Sequence, residues 1–182
     1  MKNIKTLVST IELLNKLKQV KRLSIIKEKG RRESDAEHSW HLVTTLWLLS
    51  EYYEKKIDLE KAIKMGIIHD LPEIIAGDVY AHSTEITKEQ KKKNEREAMK
   101  KIISEMPPKF AKEVKQLWEE YEEGKTEEAK FVWLTDKLMP RLMRKFTKGD
   151  CADNLKKDLK HKKEEDEKIR EMSRLFRELL DS

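Results

Sequence analysis

"IIHDLPEIIAGD" runs from Ile67 to Asp78. It places His69 and Asp70 side by side at the end of an apolar run, with Pro72 two residues on and Glu73 and Asp78 following. Groups able to ionise or to bind a metal thus fall where the chain also builds its core. Upstream, Asp58 can cap a helix through Leu59, Ala62, Ile63 and Ile67, which recur at helical spacing. Leu71 precedes a proline and is pushed out of helical geometry, so His69 and Asp70 occupy the last turn. Pro72 suits the first turn of a second, short helix that stops at Gly77. The segment reads as helix, bend, helix.

The same reading extends in both directions. Ile4, Leu7, Val8, Ile11, Leu14 and Leu17 recur at helical spacing. "KRLSIIKEKGRR", from Lys21 to Arg32, contains Gly30 and reads as a connection. "SDAE" has the capping-box form, with Ser34 capping and Glu37 three residues later. The helix it starts runs to about Tyr53 and carries Trp40, Val43, Leu46, Trp47 and Leu49 on more than one side, which predicts a central element.

Downstream, "AHSTEIT" is a loop, and Thr87 with Gln90 forms a capping box before a long polar helix. Pro108 opens a helix to Tyr121, Thr126 caps one through Phe146, and a charged helix from about Leu155 to Leu180 closes the chain. No sustained strand pattern or repeat occurs. The expected fold is all-α, with about seven or eight helices. Residues 1–182 are expected to form one domain, in which about 153–182 is a C-terminal helical extension.

Composition narrows the class. Charged residues make up 41% of 182, and glycine and proline number only five and four, which favours helices over sheets. The Lys- and Glu-rich charge resembles the thermophile bias toward ion-pair networks, and equally a highly soluble surface. Net charge is +5, from 40 basic and 35 acidic residues, a modest potential that helps recruit an anionic substrate. The basic stretches "KEQKKKNEREAMKK" and "LKKDLKHKK" are interspersed with acids and poor in aromatics, so they read as solvated helix faces and not as a nucleic-acid surface. The lone Cys151 suits a reducing compartment, and no apolar run approaches about 18 residues. A soluble cytoplasmic protein without a membrane partner is expected.

Asp136 is the most telling position outside the opening stretch. Ala129, Val132, Trp133, Met139 and Met143 share its helix face, and a carboxylate on an apolar stripe is costly unless paired or bound to a metal. Pro140, four residues on, lacks the N–H that would bond the Asp136 carbonyl, so a kink is expected there. A simple ion pair, with adjacent Lys137 as partner, is the competing reading. Asp70 raises the same problem, because a carboxylate at a helix C-terminus meets unpaired carbonyls. A divalent metal shared by His69 and Asp70 would compensate it. His38 and His41, at i and i+3, are further candidates, with His41 better read as a partly buried histidine. Glu73, in a first helical turn, complements the helix dipole, and Asp78 suits a turn. Both gain a functional reading only beside a metal, whose bound water a carboxylate can deprotonate.

In this order, "ESDAEHSW", "HDLPE", "AGD" and "TDKL" in a helical chain resemble the HD-domain metal-dependent phosphohydrolases. The resemblance extends from about Leu13 to Met143 and is closest to the 5′-nucleotidase branch that prefers deoxyribonucleoside monophosphates. It implies one divalent metal held by His38, His69, Asp70 and Asp136. This mixed nitrogen and oxygen set suits manganese, cobalt, iron or zinc. It further implies removal of a 5′-phosphate by attack of a metal-bound water, with Glu73 orienting or deprotonating that water and Asp78 serving the departing sugar oxygen. Arg22 resembles the family arginine that contacts phosphate, with Arg31 or Arg32 assisting.

Two other readings stay open: an HD hydrolase acting on another phosphate ester or a nucleoside triphosphate, and a noncatalytic helical protein that binds a nucleotide or nucleic acid. The branch forms dimers, so a homodimer or higher homo-oligomer is expected. Its candidate surface is the stripe of Ile169, Met172, Leu175, Phe176 and Leu179, with packing onto its own domain as the alternative. Where that branch carries a tryptophan at or shortly after the phosphate-contacting arginine, this chain has Leu23, so a weaker bias against ribonucleotides is expected.

Overall fold

A computed structural model of the chain describes residues 4–26, 30–77, 87–146 and 159–181. The first helix, α1 (Ile4–Asn15), continues into one 3-10 turn at Lys16–Gln19. Lys21–Ile26 and Arg31–Ser34 then pair as antiparallel strands β1 and β2, with Ile25 opposite Arg32 and Ile26 opposite Arg31. The expectation of a strandless connection is corrected here. "KRLSII" alternates polar and apolar residues only from Arg22 to Ile25, too briefly to reveal a half-buried strand, and the pair is only two strands wide. Gly30 supplies the positive φ of +59° at the return.

The cap expected at Ser34 forms. Its hydroxyl accepts from the Glu37 N–H, and the Glu37 carboxylate accepts from the Ser34 N–H, starting α2 (Asp35–Ser50). Leu42, Leu46 and Leu49 are buried, but Trp40, Trp47 and Leu48 face outward. The helix is therefore one-sided and not embedded all round as its composition suggested. Asp58 caps α3 (Leu59–Ile68) through the Lys61 N–H at 3.1 Å. A Cβ on Gly66 would approach Leu46 Cδ1 to 3.0 Å and Val43 Cγ1 to 3.1 Å, so this glycine permits the close crossing of α2 and α3.

After the bend, α4 (Glu73–Ala76) ends at Gly77, whose N–H returns to the Glu73 carbonyl at 2.8 Å. Thr87 caps α5 (Lys88–Ser104), but the second half of the expected capping box is missing: the Gln90 amide donates instead to Asn94 at 2.8 Å. Helix α6 (Pro108–Glu123) ends at Gly124 in the left-handed region. Helix α7 (Glu127–Phe146), begun at Thr126, continues through Pro140.

The single closing helix is also corrected, into α8 (Leu159–Met172) and α9 (Arg174–Asp181). Ser173 interrupts it: its hydroxyl donates to Glu54 and accepts from the Phe176 N–H, while the Leu175 N–H donates to Glu54 at 2.6 Å. A distant carboxylate on the first amides of α9 favours a new helix start over continuation.

Two apolar clusters form the interior. One joins Leu42, Leu46, Met65, Phe131, Leu134 and Phe176, and the other joins Leu13, Leu17, Ile68, Leu71, Ile102 and Trp118. Helix α3 contributes Met65 to the first and Ile68 to the second, so its C-terminal end lies where the two meet.

Candidate metal centre

Four helices and one strand deliver the site. The capping box fixes the first turn of α2 and so the position of His38. The bend after α3 sets His69 and Asp70 beside Glu73 at the head of α4, and α7 contributes Asp136 from its middle. His38, His69, Glu73 and Asp136 are all buried, and Asp70 is nearly so.

The donors converge. His38 Nε2 lies 3.0 Å from Asp136 Oδ1 and 3.8 Å from Asp70 Oδ2. His69 Nε2 lies 3.0 Å from Asp70 Oδ2 and 4.0 Å from Asp136 Oδ1. One ligand atom each from His38, His69 and Asp136 falls within a 4.8 Å sphere of separation. The other His69 nitrogen, Nδ1, donates to the Gly66 carbonyl at 2.8 Å. In the neutral ring this bond leaves the lone pair on Nε2, which is buried and aimed into the cluster, with the Asp70 and Asp136 oxygens as its neighbours. Such a nitrogen, beside carboxylate oxygens, fits a divalent transition metal.

Asp70, Asp35 and Glu73 also bring one oxygen each within 4.8 Å of one another. Arg22, on β1, balances this acidic group: Nη1 donates to Asp70 Oδ2 at 2.8 Å and to Asp35 Oδ1 at 3.3 Å. Burial opposes ionisation of Asp70, but the charges of His69, Arg22 and His38 outweigh it and hold its carboxyl below the usual range. Asp136 is likewise held well below its ordinary value against burial, by Lys137, His38 and His69. Lys137 Nζ sits 2.9 Å from Asp136 Oδ2, so the ion pair weighed against a metal is present on the outer oxygen while the inner oxygen faces the histidines. Burial lowers the His69 pKa, but the Asp70 charge, with further help from Asp136, raises it on balance.

Some expected residues stay apart. Arg31 forks onto Glu37, at 2.9 and 2.5 Å, and Arg32 is exposed. His41 stacks on Trp40. Asp78 lies outside the described residues, as does the Leu23 side chain. Two residues that sequence reasoning passed over, Asp35 and Tyr121, do reach the site, beside the Lys137 already weighed as the partner of Asp136. Asp35 is fully buried against Arg22, Lys137 holds Asp136, and the Tyr121 ring meets His69 edge-on at 5.5 Å. Burial, with Asp136 and Asp70 adding to it, keeps the Tyr121 phenol protonated well above the ordinary range. Asp35 had a sufficient reason for its place in the first turn of α2, and nothing in the spacing distinguished Tyr121 from a core aromatic.

A family model for the HD domain matches residues 14–178. The chain belongs to the HD domain family. HD-domain phosphohydrolases are metal-dependent, and the His38, His69 and Asp136 cluster is the candidate metal site of this HD domain. The chain is 32% identical over 129 residues to the human 5′-deoxynucleotidase HDDC2, a match covering 70% of this chain and 61% of the human protein. It is 32% identical over 138 residues to the fission-yeast 5′-deoxynucleotidase hdd1, covering 73% and 68%. The match thus spans about three-fifths of the human relative's length. Among solved structures, a Magnetospirillum magnetotacticum protein described as a predicted metal-dependent phosphohydrolase superposes with a TM-score of 0.75 at 34% identity, over 83% of this chain and 77% of that one. A conserved hypothetical protein from Pyrococcus furiosus gives 0.69 at 28%, over 96% and 99%.

Proposed function

We propose that this HD domain is a metal-dependent phosphomonoesterase that removes the 5′-phosphate from nucleoside monophosphates. The observation that carries this reading is the convergence of the buried Nε2 of His69 with the donors of His38, Asp70 and Asp136. The likeness to 5′-deoxynucleotidases supplies the substrate class. Manganese, cobalt, iron and zinc suit the donor set. When bound, such an ion polarises a phosphoryl oxygen and lowers the pKa of water.

His38, His69, Asp70 and Asp136 hold the ion. The Gly66 carbonyl and the Tyr121 ring orient His69, and Lys137 restrains the outer oxygen of Asp136. Glu73, buried beside Asp70, takes the proton of the attacking water. Asp78, five residues on, attends the departing sugar oxygen. Arg22, on β1 beside Asp70, contacts the phosphate. Arg31 is engaged by Glu37, which leaves Arg32 as the freer of the two flanking arginines to assist.

The chain is one domain in this reading, supported by Ile169 and Phe176 entering the same apolar cluster as α2 and α7. It works in the cytoplasm as a homodimer. No described helix is long and apolar enough to cross a membrane. The terminal stripe named for dimerisation is turned inward at Ile169 and Phe176, so pairing needs another surface.

The test is phosphate release from matched dAMP, AMP, dUMP and UMP, and from the corresponding triphosphates, after loading with each metal. Metal-dependent release from monophosphates is expected, with rejection of the ribonucleotides by less than about a thousandfold. Turnover confined to triphosphates, or none with any metal, overturns the reading.

A further inference from the structure

Helix α2 changes character after its first turn. From His38 to Ser50 it contains no Lys, Arg, Asp or Glu, in a chain of which 41% is charged. Its solvent side is nevertheless wide open: Trp40 is 68% exposed, Trp47 66% and Leu48 65%. Just past the helix, Tyr52 is 63% exposed, and Ile67 on neighbouring α3 is 48% exposed. Trp47 also lines a groove with Leu59 and Ile63 of α3, together with the paired Glu60 and Lys64. Isolated exposed apolar residues are ordinary, but a contiguous aromatic face without charge is a mark of an interface core.

We propose that this outer face of α2 and α3 is where two copies of the chain pair. The proposal rests on the homodimer reading above and names its surface. Area supports a second copy. Covering a large aromatic buries about 150–250 Å², so the exposed parts of the two tryptophans and Tyr52, with Leu48 and Ile67, amount to roughly 600 Å² per copy and about 1,200 Å² per pair. That reaches the lower bound for stable, specific interfaces.

Self-complementarity supports it too. A two-fold interface sets the same patch against itself, which like charges would oppose and a neutral patch does not. Within the groove, Lys64 bonds Glu60 at 2.8 Å and Glu113 at 3.0 Å. Each copy therefore offers both signs of charge beside the aromatic face.

The experiment measures the mass of the full chain by light scattering on a sizing column, for wild type, Trp47→Glu and Ile11→Glu. Ile11 lies on the exposed stripe of α1, which is the rival face. Wild type and Ile11→Glu should be dimeric, and Trp47→Glu monomeric with unchanged metal content. A second measurement does not depend on how Trp47→Glu folds. Thr44, exposed between the two tryptophans, is changed to Cys in a Cys151→Ala background and treated with a short bis-maleimide. A covalent dimer is expected from this variant and not from Cys151→Ala alone.

A monomeric wild type overturns the proposal and the homodimer reading together, and assigns the face to a different partner. A dimeric wild type with no Thr44→Cys cross-link, or one dissociated by Ile11→Glu and not by Trp47→Glu, overturns this face and leaves the homodimer reading standing. The phosphatase reading is decided separately, by phosphate release from the wild type.

Discussion

His38 Nε2 stands 3.0 Å from Asp136 Oδ1 although 98 residues separate them in the chain. One comes from the first turn of α2 and the other from the middle of α7, and both helices contribute to the same apolar cluster. The meeting is thus set by core packing. Asp136→Asn should preserve this packing while removing the anionic donor. Metal affinity, read by calorimetry on the metal-stripped protein, should fall by at least about a hundredfold, the size expected for a lost ligand exceeding that of an outer-shell change. Wild-type affinity in Asp136→Asn would remove Asp136 from the ligand set.

Glu73 should separate binding from turnover. It lies with Asp70 and Asp35 and outside the His38, His69 and Asp136 group. Glu73→Gln is expected to retain metal and lose about two to four orders of magnitude in kcat, the usual worth of a positioned general base. Near-normal kcat would end its proposed role, and loss of the metal would move it into the ligand set.

Metal uptake should compete with a proton on His69. The environment raises its pKa above the ordinary value of about 6.5, whereas Asp70 and Asp136 are held below theirs. The carboxylates are therefore already ionised where His69 still carries a proton that the metal must displace. Apparent affinity should rise with pH until His69 is neutral and then level off. Calorimetry in two buffers of different ionisation enthalpy should find proton release near pH 6.5 that declines at higher pH.

The same shifts fix the stability of the metal-free protein. The His69 contribution is fully present below about pH 6.5 and is lost as pH rises through the raised folded value. The Asp70 and Asp136 contributions are present above about pH 3.9 and are lost as pH falls through their depressed folded values. Metal-free protein should thus be most stable between roughly pH 4 and 6.5. A stability maximum displaced well above neutrality would contradict these assignments.

Much of this site could be read from the sequence because its residues conflict with their local setting. Asp70 at a helix C-terminus and Asp136 on an apolar stripe both lack a local reason for their place, and both arrive at the cluster. Ser34 and Asp58 announce their helices through capping chemistry confined to four residues. The features missed depend on distant partners. Nothing near Ser173 in sequence reveals that Glu54 will engage the first amides of α9. The β1 and β2 pair escapes notice because alternation in β1 is confined to residues 22–25 and β2, "RRES", has no apolar residue. Trp40 and Trp47 looked like core residues because composition cannot distinguish a buried second face from an exposed one awaiting a partner.

Gly66 should tolerate no branched side chain. An added Cβ already meets Leu46 and Val43 at 3.0 and 3.1 Å, and its carbonyl receives the His69 Nδ1–H. Gly66→Val should cost about 1–3 kcal/mol by overpacking, seen as a lower urea midpoint at unchanged slope, and should weaken metal binding through His69. Undiminished stability would mean that α2 and α3 are not closely apposed here.

Arg22 is the residue whose structural and chemical roles most need to be told apart. Its Nη1 is shared between Asp70 and the fully buried Asp35, so Arg22→Ala should lower stability whether or not the side chain touches substrate. Removing a charged hydrogen-bond partner from a buried carboxylate costs about 1–3 kcal/mol. The phosphate role makes a separate demand, a loss of about 10- to 100-fold in kcat/KM carried mainly by KM, which is the worth of one charge-assisted hydrogen bond. Arg22→Ala combined with Asp35→Asn removes both members of the buried pair and should recover part of the lost melting temperature without recovering KM. Arg22→Lys keeps the charge but not the fork, and should fall between wild type and alanine in KM. If KM is unchanged in Arg22→Ala, or returns to normal in the double variant, Arg22 serves only to balance Asp35 and Asp70, and the phosphate contact must come from another cation near the site, with Lys137 the first to test.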